Sequence, residues 1–264
     1  MSFDALHWFK LNYMKLNEDK CHLLIAGHKH EHVWAMVGNS RIWESNSEKL
    51  LGVHIDNELK FKKQIEYICE RAGIKLSALA RVCHHFTFEK RRMLMKAFIE
   101  SQFSYCPLVW MFHGRVINRR INRLHERALR LVYEDFTSSF EELLNKDESC
   151  TIHHRNIQTL AIEIFKTREN LNPAFMKDIF VEARDNRYML RSNTEFNSMN
   201  IRTVSWGEDT LRYLGCKIWK IVPDSIKKST SVGQFKTLIR KWIPNDCPCR
   251  LCKTYIHNIG YINR

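Results

Sequence analysis

The hydrophobic period of this chain changes near Phe61, and that change limits the folds open to it. Before it the apolar runs are short and punctuated. Cys21-His-Leu-Leu-Ile-Ala26 ends at Gly27, Val33-Trp-Ala-Met-Val37 ends at Gly38, and Leu50-Leu-Gly-Val-His-Ile55 follows. Runs of this length between glycines read as strands of an antiparallel meander, preceded by a helix over 4–12 that carries Trp8 and Phe9. So few strands cannot close a core alone. From there on, Phe61, Ile65, Ile68, Ala72, Leu76 and Leu79 recur at the spacing of a long amphipathic helix.

Helical patterns continue over 89–104 and 115–133, with Pro107 closing the first of these or opening its successor. Residues 134–150 read as an acidic, polar connection. A further helix is expected over 153–169, ended by Pro173, then a polar irregular stretch over 185–203. Two last helices fall at 211–221 and 231–242, with Ser231 as N-cap of the second. The fold class is therefore α+β, a small antiparallel sheet over 1–58 followed by helical regions over 59–150 and 151–264.

Forty-two Lys and Arg against 29 Asp and Glu leave a net charge of +13, the balance of a chain that meets a polyanion, although such an excess also keeps proteins soluble. The 115–133 helix sharpens the point. At about 100° per residue, Ile117, Ile121, Leu124, Ala128 and Leu131 share one arc, while Arg119, Arg123, Arg127 and Arg130 gather on the opposite side. Guanidinium groups suit phosphates; a solvated helix face is the alternative.

No apolar run reaches the roughly 18 to 20 residues of a membrane span, and the first residues carry no secretion pattern, so the expected setting is intracellular, nucleus or cytoplasm. Six of the nine cysteines, Cys21, Cys69, Cys83, Cys106, Cys150 and Cys216, are scattered among apolar residues and fit buried thiols in a reducing compartment. The other three, Cys247, Cys249 and Cys252, with His257 offer the donors of a Cys₃His zinc knuckle, or else are free thiols.

Several ordered motifs together resemble the carboxy-terminal part of non-LTR retrotransposon reverse transcriptases of the jockey-like kind. Trp8-Phe-Lys-Leu-Asn-Tyr-Met-Lys-Leu-Asn17 with Lys20-Cys21 resembles the late palm. Lys49-Leu-Leu-Gly-Val-His-Ile-Asp56 with Leu59-Lys-Phe61 looks like the primer grip, and Ala97-Phe-Ile-Glu-Ser-Gln-Phe-Ser-Tyr-Cys-Pro-Leu-Val-Trp110 like the thumb pattern. His154-Arg-Asn156, Tyr188-Met-Leu-Arg191, Tyr213-Leu-Gly215, Ile218-Trp219 and the terminal Cys-Pro-Cys-Arg-Leu-Cys252 continue the series.

The resemblance implies a partial palm, a helical thumb and a C-terminal helical region. It implies an RNA/DNA primer–template as partner, with Leu50, Leu51, Gly52 and Val53 at the primer backbone. Lys62, Lys63, Arg91, Arg92 and the four arginines of the stripe would touch phosphates. Gly52 alone reads equally as a bulge, and Lys20, matching a palm lysine that assists pyrophosphate departure, is at most a vestigial catalytic position and reads rather as a surface turn lysine. The family's two-metal chemistry needs carboxylates that bind Mg²⁺. No Asp-Asp pair is present, so the Mg²⁺ sites are expected to be missing and the chain is not expected to polymerise by itself. The alternatives are an interaction module that needs a polypeptide supplying the missing palm, or an inert product of a degenerate element.

Overall fold

In the computed structural model the described residues are 3–27, 33–112, 114–181, the single positions 196, 201, 203 and 207, and then 210–244, 247–249 and 251–252. The fold is α+β, mainly helical, with two small antiparallel two-stranded sheets. The chain divides into two compact units, residues 1–68 and 69–264.

The first unit opens with α1 (Phe3–Leu11) and a 3₁₀ turn, Glu18–Lys20, capped by the Asn17 side chain on the Asp19 N–H. Strands β1 (Trp34–Val37) and β2 (Ser40–Trp43) pair with Trp34 opposite Trp43 and Val37 opposite Ser40. Their two-residue turn starts at Gly38, whose φ of +60° is the left-handed region a hairpin turn needs. The Glu18 carboxylate locks this turn, accepting the Asn39 N–H at 3.2 Å and the Ser40 hydroxyl. Strands β3 (Ser47–Leu50) and β4 (Val53–Asp56) form the second hairpin.

Two expectations are corrected in this unit. Leu50 to Ile55 is no single strand, because Leu51 and Gly52 both take positive φ, +48° and +85°, and turn the chain back in a two-residue hairpin loop. Residues 21–26 form no strand either. Leu23 makes one isolated bridge to Glu44, its carbonyl accepts the Ser45 N–H at 2.8 Å, and Gly27 N–H reaches the Asn57 carbonyl. The segment is tied at points and has no ladder.

Asp56 ends β4 by accepting the N–H groups of Glu58, Lys60 and Phe61, which places the start of α2 (Lys62–Val82). The buried Gln64 side chain accepts the His54 N–H at 2.9 Å and so fixes the first turn of α2 to β4.

In the second unit, α3 (Phe88–Met95) passes through a π turn, Lys96–Glu100, into α4 (Ser101–Ser104). Met95, Ile99 and Phe103 are all buried. Their uniform spacing of four would drift about 40° per step on a regular α-helix, and the wider π turn absorbs that drift. Pro107 opens α5 (Pro107–Trp110) at its first position. Helix α6 (Arg115–Tyr133) buries Ile121, Leu124, Ala128, Leu129 and Val132 and stops at Glu134 in the left-handed region.

The 134–150 stretch, expected as a connection, contains α7 (Phe140–Lys146), started by a capping box between Ser139 and Glu142. Thr151 caps α8 (Ile152–Arg168), whose side chains are buried along most of its length. Such a helix belongs in the middle of a bundle, and α8 packs against α5, α6, α10 (Leu211–Ile221) and α12 (Val232–Lys241). Short helices α9 (Met176–Ile179) and α11 (Asp224–Lys227) lie between these. Phe165 stacks on Phe235 at 4.2 Å between ring centroids, Trp219 follows at 6.0 Å, and Arg168 lies over Phe165 and Trp219. Ser231 caps α12 as expected, accepting the Gln234 N–H. Among the described residues no helix is long and apolar enough to cross a membrane.

Candidate functional site

Helix α12 ends at Lys241, and the chain beyond it is led back along α8. The buried Gln158 amide donates to the Trp242 carbonyl at 2.8 Å and to the Arg240 carbonyl at 3.4 Å. Pro244 is buried too. Cys247, Cys249 and Cys252 then arrive at the first turn of α8, where His153 presents its imidazole.

The His153 ring nitrogen and the three sulfurs all lie within 4.8 Å of one another, with His153 Nε2 3.1 Å from Cys249 Sγ. Cys249 Sγ also accepts the Cys252 N–H at 3.4 Å, closing a Cys-x-x-Cys turn. In a tetrahedral site with zinc's usual bond lengths, donors sit about 3.5 to 3.8 Å apart, so this cluster can hold a metal ion with little movement. Cys247 and Cys249 belong to the core that α8, α10 and α12 enclose, and Cys252 packs at its edge.

Three thiols this close do not ionise together. The Cys249 thiolate is favoured, held far below the usual thiol range by hydrogen bonds from Cys247, Cys252 and His153. The Cys247 thiol, bonded to that sulfur, is pushed up to about 12, and Cys252, bonded to both, is also raised. A divalent cation removes the conflict by neutralising the sulfurs together.

The imidazole is the part the sequence did not reveal. His153 stands 96 residues before Cys249, and only the packing of the chain after α12 against α8 brings them together. His257, the expected fourth donor, lies outside the described residues, as do Tyr188 to Arg191.

A second candidate surface is the outer face of α6. Arg119, Arg123 and Arg127 are exposed and make no ion pair among the described residues. Their spacing of four spreads them over about 80° of the helix. Arg130, one turn on, is half-buried and paired with Glu126 at 2.7 Å, so it stands apart from the other three. Lys62 and Lys63 are exposed on α2 in the first unit.

Arg91 and Arg92 do not join a phosphate-facing surface, which corrects the expectation for them. Arg91 is buried and paired with Glu134. Arg92 donates through Nε to the buried Asp147 carboxylate at 2.6 Å and through Nη2 to its carbonyl at 2.8 Å, and the Tyr133 hydroxyl reaches the same carboxylate at 3.1 Å. The buried Asp147 carboxylate and the buried Arg91 guanidinium would each be costly unpaired, so both arginines are committed to holding α3 against the end of α6 and α7.

Of the residues expected at a primer backbone, Leu50 and Leu51 are exposed, Gly52 sits at the hairpin tip and Val53 is buried. Lys20 is exposed at the end of its 3₁₀ turn. That is where a turn lysine belongs.

The fold and its sites thus define an α+β chain whose helical second unit carries a buried Cys₃His cluster and an arginine-lined helix face. No family model matches this chain, and no curated protein or solved structure does.

Proposed function

We propose that this chain is a carboxy-terminal portion of a jockey-like non-LTR retrotransposon reverse transcriptase that binds an RNA/DNA primer–template and does not polymerise by itself. The observation that carries the reading is the outer face of α6, with Arg119, Arg123 and Arg127 exposed on one arc and without ion pairs among the described residues. Acidic side chains satisfy Arg91, Arg92 and Arg130, whereas Arg119, Arg123 and Arg127 are left for phosphates. Contacts of this kind read backbone shape and charge, not base edges. The ordered motifs and the net charge of +13 support the same assignment. The absence of an Asp-Asp pair from the sequence argues against catalysis by the chain alone.

Within this reading the Cys₃His cluster holds zinc. His153, Cys247, Cys249 and Cys252 would supply all four positions, leaving none for water, which makes the ion structural. It would fasten the chain beyond α12 to the start of α8.

Three arginines releasing counterions from three phosphates give a log–log salt slope of about −2.7, or roughly a 40-fold loss of affinity between 50 and 200 mM salt. Fluorescence anisotropy of a labelled RNA–DNA duplex across that range tests the reading, and a flat response would sink it. A second reading, a module completed by another polypeptide, draws on the first unit. Trp34, Met36, Trp43, Leu50 and Leu51 are exposed there on two separate hairpins, and exposed apolar hairpins of this sort seek partners.

A further inference from the structure

Two of the ordered sequence motifs, separated by about fifty residues, meet around one cavity in the second unit. Its wall on one side is the π turn and α4, from Lys96 to Pro107, and on the other the first turns of α8, from Ile152 to Thr159. The cavity holds about 380 Å³. Ligand pockets run from about 300 to 1,000 Å³, so this one takes a single small molecule or one unit of a polymer.

The lining has three kinds of group. At one part are donors and positive charge. Lys96 is exposed and makes no ion pair among the described residues, and Arg155 shares one side of its guanidinium with Glu100 at 2.6 Å. Asn156 also lines the cavity, and its amide nitrogen is buried with no hydrogen-bond partner. A side chain 3% exposed with an unmet donor is costly unless something supplies an acceptor.

At another part are acceptors. The Ser104 and Thr159 hydroxyls each give their proton to a backbone carbonyl within the same helix, at 2.8 and 2.9 Å, which leaves oxygen lone pairs to receive N–H or O–H donors. Phe103 and Pro107 add apolar surface to the lining. The π turn, a feature that often accompanies functional sites, sets Lys96 and Glu100 on this wall.

We propose that this cavity binds one nucleoside monophosphate unit, its phosphate at Lys96 and Arg155, its sugar and base against the hydroxyls and the apolar wall. The net positive lining excludes a cationic ligand, the mixture of donors and acceptors excludes a plain hydrocarbon, and the volume excludes a duplex. The proposal rests on the nucleic-acid reading above but uses a surface other than the α6 face. The unit can be a free nucleotide or one unpaired nucleotide of a strand.

The test uses the full chain, a fluorescein-labelled single-stranded hexanucleotide, the labelled RNA–DNA duplex and unlabelled UMP as competitor. Ser104→Trp fills the cavity from an exposed position, and Lys96→Glu reverses the charge at its mouth; far-UV circular dichroism checks that each is folded. The expected result is at least a tenfold weaker hexanucleotide affinity in both variants with duplex affinity within twofold for Ser104→Trp. Displacement of the hexanucleotide by UMP assigns the site to free nucleotides, and its failure assigns it to a strand. A wild-type chain that binds duplex but no hexanucleotide overturns the proposal, as do folded variants that bind the hexanucleotide like wild type. A wild-type chain that binds the hexanucleotide but not the duplex would count against the α6 face and leave the cavity standing.

Discussion

At the scale of single residues, the first unit turns on Gly38. A Cβ placed there would lie 2.0 Å from a Glu18 carboxylate oxygen, and the φ of +60° is one that L residues resist. Gly38→Ala therefore combines a backbone cost of about 1–2 kcal/mol with loss of the contact that locks the turn. Chemical denaturation should show a drop of at least that size, and an unchanged midpoint would remove the claim. In the second unit, burial raises the affinity of Glu100 for a proton, but hydrogen bonds outweigh it and its carboxyl falls to about 2. Arg155 at 2.6 Å is the stronger partner; His125, at 3.5 Å, is itself kept neutral by burial. Because the folded value lies below the unfolded one near 4.5, the stabilisation is present above that value and is lost as pH falls toward 2. It amounts to at most roughly 3 kcal/mol. Denaturant midpoints measured between pH 5 and pH 2 should fall more steeply for wild type than for Glu100→Gln; parallel curves would contradict the assignment. Local chemistry of this kind was partly legible: Ser231 read as a cap residue because capping is decided within a few positions. The pairing of Arg91 and Arg92 was not, because Glu134 and Asp147 reach them from distant sequence.

At the scale of elements, α8 organises the second unit, since four other helices and the Cys₃His cluster depend on its position. His153→Ala should reduce zinc affinity at least roughly 100-fold, beyond what loss of a mere supporting contact costs. Native mass spectrometry should show one zinc on the wild-type chain and none on the variant. A chelator should lower the melting temperature of wild type and leave that of the variant unchanged, and equal responses would exclude His153 as a ligand. Helices were legible wherever one face carried the period: α6 and α10 fall where the sequence put them. Helix α7 was missed although Ser139 and Glu142 spell a capping box, because a short helix in an acidic stretch has little apolar stripe to announce it. The strands were harder still. Leu51 takes a left-handed conformation more common in glycine, so the 50–55 run looked continuous where it turns. The cysteine half of the metal cluster was visible as a spacing, and its histidine was not, since no local pattern ties the start of one helix to a segment 96 residues later.

At the scale of the whole molecule, the charge of +13 is unevenly used. Part of it is engaged by Asp147 and Glu134, and part stands outward on α6 with no ion-pair partner among the described residues. Composition alone pointed to a polyanion without saying which guanidinium groups would face it; that distinction required knowing which acids lie beside which arginines. The outward arginines are proposed to bind the backbone of an RNA–DNA duplex. The most direct test is anisotropy of a labelled primer–template with the wild-type chain and with Arg119→Glu/Arg123→Glu/Arg127→Glu, at matched salt and with folding verified by circular dichroism. The expected result is salt-sensitive binding by wild type and a loss of at least tenfold in the variant, with its salt slope reduced by about 2.7. Equal affinity and equal slope for the two folded proteins would contradict it.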